Sequence, residues 1–222
     1  MSSIGDKIIP LFKVFMHPEA AKEVEKTLLS GYIGEGPKVK EFEQALCDYL
    51  DCQNLITVNS ATSALHLALS MIKREPVSPT WPGVEAGDEV LTTALTCTAT
   101  NWPVLANDLK IKWVDANPHT CNLDLDDLES KLSPRTKAII VVHWGGYPND
   151  LDRLKQIQQK SLELYGFAPK IIEDCAHAFG SKYKNAALGN HGNYVCYSFQ
   201  AIKHLTSVDG GPLILPDEEE YK

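Results

Sequence analysis

Apolar residues recur at helical spacing over residues 18–29 (Ala20, Val24, Leu28) and again over 39–50 (Val39, Phe42, Leu46, Leu50). The stretch between them is glycine-rich, and Gly34, Gly36 and the helix-opening Pro37 make it a loop. LITV at 55–58 reads as a short buried strand, followed by a helix through Ala64, Leu65, Ala68, Leu69 and Ile72. Residues 73–87, KREPVSPTWPGVEAG, carry three prolines and read as a surface loop. Strand patterns at 89–92, 111–114, 138–142 and 170–173 then alternate with helical patterns at 102–105, 125–132 and 151–164. Two more strands are expected at 194–199 and 212–215. This alternation predicts right-handed βαβ units, a mainly parallel sheet and one α/β domain over residues 1–222. Asp217 and Glu220 are spaced like a helix cap and its partner just before the chain stops at Lys222, so a truncated chain is expected, with a polar tail as the alternative.

Composition narrows the classes without choosing among them. The chain has 222 residues, 44% hydrophobic and 23% charged, enough for a sizeable core. A net charge of −8 argues against nucleic acid or an anionic membrane as partner. The longest apolar run, 138–142, is far too short to span a bilayer, and the N-terminus lacks a leader pattern. Six cysteines without metal-finger spacing suit reduced thiols, so the expected location is cytoplasmic, with no metal site.

Three segments carry chemistry. NSATSA at 59–64 joins a strand to a helix, where small residues, hydroxyls and free N–H groups suit a phosphate; plain capping by Ser or Thr explains them as well. In EDCAHA at 173–178, Asp174 ends an apolar strand, where a carboxylate needs a cationic partner, and His177 reaches the same cavity. A buried cap and a core histidine are the alternative. In YSFQAIKH at 197–204, Lys203 follows Ser198 by five residues and is a candidate imine-forming amine; taken alone it is as readily a surface charge. Together, a phosphate seat, an acid for a ring nitrogen and an imine lysine are the protein parts that pyridoxal phosphate (PLP) requires.

The chain resembles the DegT/DnrJ/EryC1/StrS family of PLP-dependent nucleotide-sugar aminotransferases. The matches run in order: IPLF near Ile9, SGYIGEGPKVKEFEQAL from Ser30, NSATSALHLAL from Asn59, GDEVLTTALTCTATNWPV from Gly87, VVHWGGYPNDLDRL from Val141, EDCAHAFGSKYKNAALGNHG from Glu173 and YSFQAIKHLTSVDGG from Tyr197. The resemblance implies an aspartate-aminotransferase-like (type I) large domain, a mainly parallel mixed sheet flanked by helices, incomplete at its C-terminus and without the small C-terminal domain.

It further implies that Lys203 forms the imine with PLP and shuttles a proton, and that Asp174 keeps the pyridine nitrogen protonated. Thr62, Ser63 and Ser198 would bind the phosphate, and His177 would lie against the cofactor. An amino acid, commonly glutamate, would donate the amine to a keto sugar on a nucleoside diphosphate, in a homodimer. A chain needing a complementing C-terminal half, inactive or serving as an interaction subunit, is the alternative. Three positions depart from the pattern: Cys97 stands where many members stack an aromatic residue, residues 73–85 form a longer connection, and Val208-Asp209-Gly210-Gly211 replaces the usual acidic turn. A dehydratase branch carries His in place of the lysine; the register from Ser198 puts Lys203 there, not His204.

Overall fold

A computed structural model of the chain describes residue 10 and residues 12–217. Ile9 and Leu11 of the IPLF match and Glu220 of the C-terminal cap lie outside the described residues. The helices are α1 (Ala20–Ser30), α2 (Pro37–Leu50), α3 (Ala61–Arg74), α4 (Thr98–Ala106), α5 (Leu125–Ser130) and α6 (Leu151–Tyr165). The strands are β1 (Leu55–Val58), β2 (Glu89–Thr93), β3 (Lys110–Val114), β4 (Thr136–Val142), β5 (Lys170–Asp174), β6 (Lys182–Tyr183), β7 (Ala186–Ala187), β8 (Tyr194–Cys196) and β9 (Gly211–Ile214).

Seven strands form one sheet in the order β1-β9-β8-β5-β4-β2-β3. From β3 to β8 every pairing is parallel, while β9 runs antiparallel to both β8 and β1. All seven residues of β4 are buried, because helices cover both faces of the sheet. Ala138 and Ile140 join a cluster with Ala64, Leu65, Leu69 and Val104 from α3 and α4. Ile139 and Val141 face the other way, toward Leu46 and Leu50 of α2, Leu128 of α5 and Leu154 and Ile157 of α6. Each buried Leu, Ile or Val among them contributes about 1.5–3 kcal/mol of transfer free energy, which holds the helices against the sheet.

Local chemistry sets where the elements begin and end. Pro37 opens α2 at its first turn, and the Asp150 side chain caps α6 by accepting the Arg153 N–H at 3.0 Å. Gly166 closes α6 in the left-handed conformation.

The structure departs from the sequence expectations in four places. α4 starts at Thr98, four residues before the apolar pattern, because its first turn is buried by polar bonds rather than by apolar packing. Asn101 accepts from Thr92 and donates to the Thr93 carbonyl, both at 3.0 Å. β8 ends at Cys196 instead of running to 199: Pro212 has no N–H to return to Tyr197, although its carbonyl accepts the Tyr197 N–H. The connection at 73–87 is not purely superficial. Trp81 is buried, with its edge against Phe167 and the Lys170 ammonium 5.2 Å from its ring. A small hairpin, β6–β7, was not anticipated; Lys184 and Asn185 at its tip both have positive φ, which Asn tolerates. Among the described residues no helix is long and apolar enough to cross a membrane.

Candidate active site

Since β1 and β8 both oppose β9, they run in the same direction as each other and as the parallel strands. The carboxyl ends of β1, β4, β5 and β8 therefore lie along one edge of the sheet, where α/β folds place ligands. The three segments singled out by their chemistry leave the sheet at that edge.

Asp174 is the last residue of β5 and is 4% exposed. Alternation along the strand turns it to the α3/α4 face, the side of Ile172, and Glu173 to the opposite face, the side of Ile171. Its Oδ1 accepts the Ala176 N–H at 3.0 Å and its Oδ2 accepts the Thr100 hydroxyl at 2.7 Å. Because Thr100 donates to the carboxylate, the Thr96 hydroxyl, 2.6 Å away, must donate to Thr100. Both carboxylate oxygens keep lone pairs for a further donor.

At the end of β1, Ser60 caps α3: its Oγ accepts the Ser63 N–H at 3.1 Å and lies 3.1 Å from the Ser63 hydroxyl. Thr62 and Ser63 line an open recess of about 490 Å³ with Val58, Asn59, His66, Leu67 and Trp102. The start of a 14-residue helix faces this recess with its dipole and with hydroxyls on its first turn. Capping accounts for Ser60 and for the Ser63 N–H, not for Thr62.

Ser198 and Lys203 belong to the loop from β8 to β9, outside the lining of that recess. Ser198 is buried and its Oγ accepts the Gln200 N–H at 3.4 Å. The Phe199 N–H donates to Gly210 O at 2.8 Å and the Lys203 N–H to Gln200 O at 2.9 Å, which folds the loop back on itself. Ser60 forms a parallel bridge with Gly210, tying the base of the lysine loop to the helix cap. Lys203 is half-buried, and among the described residues its Nζ makes no hydrogen bond or ion pair.

His177 is half-buried, with its ring 5.5 Å from that of Trp144, edge to face. Burial lowers its pKa, the positive charge of Lys203 and a smaller effect of His204 lower it further, and Asp174 opposes them. His177 thus feels the charges of both Lys203 and Asp174. Cys97 is exposed at the start of α4 and offers no ring for stacking.

Sequence reasoning had not found Thr100, His66 or Trp102. Nothing local marks Thr100, since its partner lies 74 residues away; the spacing of the Thr96 and Thr100 hydroxyls at the start of α4 was the available signal. The donor set fits PLP: a buried carboxylate with spare acceptor capacity, an unpaired lysine amine, and a helix start with hydroxyls.

Known proteins show the same architecture. The crystal structure of the sugar aminotransferase CalS13 from Micromonospora echinospora is 47% identical, with a TM-score of 0.88, over 96% of this chain and 56% of that one. Spr1654 from Streptococcus pneumoniae, solved in PLP and PMP forms, is 32% identical; its PLP form has a TM-score of 0.86 over 96% of this chain and 54% of its own. The spore coat polysaccharide biosynthesis protein SpsC of Bacillus subtilis is 35% identical over 201 residues, 90% of this chain and 48% of that protein. The chain spans about half the length of the curated relatives it matches. The expected α/β architecture is the one observed, and residues 15–222 match one family throughout. The chain belongs to the DegT/DnrJ/EryC1/StrS aminotransferase family.

Proposed function

We propose that this chain is the large-domain part, residues 1–222, of a PLP-dependent transaminase. It would move an amino group from an amino acid, glutamate in the first instance, to the keto group of a nucleotide-linked deoxysugar. The observation that carries the reading is Asp174: a buried carboxylate at the carboxyl end of a central strand, bonded through both oxygens, with the unpaired Lys203 amine close enough to act electrostatically on the same histidine.

Bound here, PLP would supply an electron sink for the amino-bearing carbon. The chain's own residues do the rest. Asp174 would accept a hydrogen bond from the ring nitrogen of the cofactor and orient it. Thr62, Ser63 and Ser198 offer hydroxyls to the phosphate, helped by the dipole of α3. His177, whose pKa burial lowers, would pack beside the ring of the cofactor. Lys203 would hold the cofactor through its Nζ, and its free amine would serve as the general acid and base that carries the proton.

Two further readings belong to this proposal. Leu67, Trp102 and Leu105 expose apolar surface around and beside the recess, Trp102 at 61%, and a second copy of the chain would cover it as a homodimer. The six unbridged cysteines support action in the cytoplasm.

The test is direct. PLP is added to the purified chain, the visible absorbance of the lysine adduct is recorded, and the adduct is fixed with borohydride and mapped. The expected result is a band and a single modified peptide containing Lys203. An absent band at high PLP supports the alternative, a chain that needs a complementing C-terminal half. The same adduct in Lys203→Ala overturns the assignment of the lysine.

A further inference from the structure

On the face of β5 opposite Asp174 lies a charged group that the proposed reaction does not use. Glu173 is completely buried, and a buried carboxylate is costly unless its oxygens are partnered. Asn193 Nδ2 donates to Oε1 at 2.7 Å, and His143 Nε2 lies 2.9 Å from Oε2. The Asn149 N–H donates to His143 Nδ1 at 3.0 Å. Nδ1 is therefore an acceptor, so the ring proton sits on Nε2 and is donated to Glu173.

His143 also reaches the neighbouring residue. Its backbone N–H donates to the Asp174 carbonyl at 3.1 Å. One residue at the end of β4 thus grips both members of the Glu173–Asp174 pair, Glu173 through its side chain and Asp174 through its main chain. Thr100 grips the Asp174 carboxylate from the other face.

We propose that His143 and Glu173 are positioning residues for Asp174: their buried pair locks the carboxyl end of β5 and so fixes where the Asp174 carboxylate points. The consequence for a cofactor ring nitrogen rests on the function proposed above. A metal seat is the competing use of the same atoms, since ligand atoms of His143, Glu173 and Cys175 lie within 4.8 Å of one another. Both imidazole nitrogens and both carboxylate oxygens are already engaged. Burial, aided by the Glu173 and Asp174 charges, pushes the Cys175 thiol well above its ordinary pKa, so it offers no thiolate.

The pair has a sharp chemical signature. Both Glu173 oxygens face donors, so Glu173→Leu keeps most of the bulk but leaves the His143 Nε2–H and the Asn193 amide without acceptors. Moving the imidazole proton to Nδ1 does not relieve this, because that nitrogen faces the Asn149 N–H. Glu173→Gln keeps both bonds: its oxygen accepts from His143, and the Asn193 amide turns its oxygen to the new NH₂.

PLP affinity is measured by titrating the adduct absorbance, together with the ¹³C resonance of the Asp174 carboxyl in the PLP-free chain. Glu173→Leu is expected to weaken PLP about tenfold or more and to displace the resonance. Glu173→Gln is expected to leave both near wild type. Wild-type affinity and resonance in Glu173→Leu overturn the proposal, as does a Glu173→Gln variant displaced as far as Glu173→Leu. If the wild-type chain forms no adduct, the cofactor reading fails, and the resonance alone decides the clamp by the same criteria. If Glu173→Leu does not fold, His143→Leu, which leaves Glu173 Oε2 without its donor, decides: a displaced resonance supports the clamp and a wild-type one overturns it.

Discussion

Thr100 is where a single hydroxyl does the most for the proposed site. It is buried, donates to Asp174 and accepts from Thr96. In Thr100→Val the shape is kept, but Asp174 Oδ2 loses its donor and the Thr96 hydroxyl loses its acceptor. Leaving a buried carboxylate oxygen short of a donor costs about 1–3 kcal/mol, so the urea midpoint should fall accordingly. An unchanged midpoint would show that water replaces the hydroxyl.

His177 gives the site a pH dependence whose sign is fixed. Its folded pKa lies below the ordinary value of 6.5, mainly through burial and then through the Lys203 charge. Between the folded and unfolded values the unfolded chain binds more protons, so stability is complete above 6.5 and falls as pH drops through the folded value. Unfolding midpoints measured from about pH 7.5 down to about pH 5 should therefore decline, and His177→Gln should flatten that part of the curve. Equal slopes in the two proteins would place the titration elsewhere.

Among the elements, α3 and the β8–β9 corner show local rules at work. Ser60 satisfies an orphan N–H of α3, so Ser60→Ala should cost about 1 kcal/mol in urea unfolding. A loss near zero would mean that the bridge to Gly210 alone holds the turn. At the corner, a Cβ on Gly211 would overlap the Tyr197 carbonyl, because β9 starts where the chain after β8 crosses it most closely. The backbone cannot yield there without breaking the Tyr197–Pro212 hydrogen bond. Gly211→Ala should therefore lower stability by more than about 3 kcal/mol, a loss reserved for severe clashes, and should disturb the lysine loop that hangs from the corner.

For the whole molecule, the proposed homodimer would form through the apolar surface near the recess. If a second copy covers it, sedimentation of the chain gives a dimer, and Trp102→Glu gives a monomer with its far-ultraviolet circular dichroism unchanged. A monomeric wild-type chain at about 100 times the concentration that proves sufficient for PLP binding would overturn the dimer.

What was legible in the residue order was whatever has a short physical range. The apolar periods of α2, α3 and α6 and the largely apolar runs of β1 and β4 predicted those elements, because burial imposes periodicity on neighbouring residues. The candidate residues were visible for the same reason: Thr62 and Ser63 at a strand-to-helix turn, Asp174 at the end of an apolar strand, His177 three residues on, and Ser198 and Lys203 after the next strand. Where period and burial part company, the reading failed. The first turn of α4 is buried by hydrogen bonds, β8 stops at the proline of its partner strand, and Trp81 pins a loop that looks entirely superficial.

Only the tertiary structure decided which distant groups meet. β9 had to run antiparallel between β8 and β1 before the helix cap and the lysine loop could share an edge. The partners of Asp174 and Glu173, on Thr100, His143 and Asn193, come from other segments of the chain. Hydrogen bonds and charges act over a few ångströms of space, and residue order records such distances only along one strand or one turn of helix.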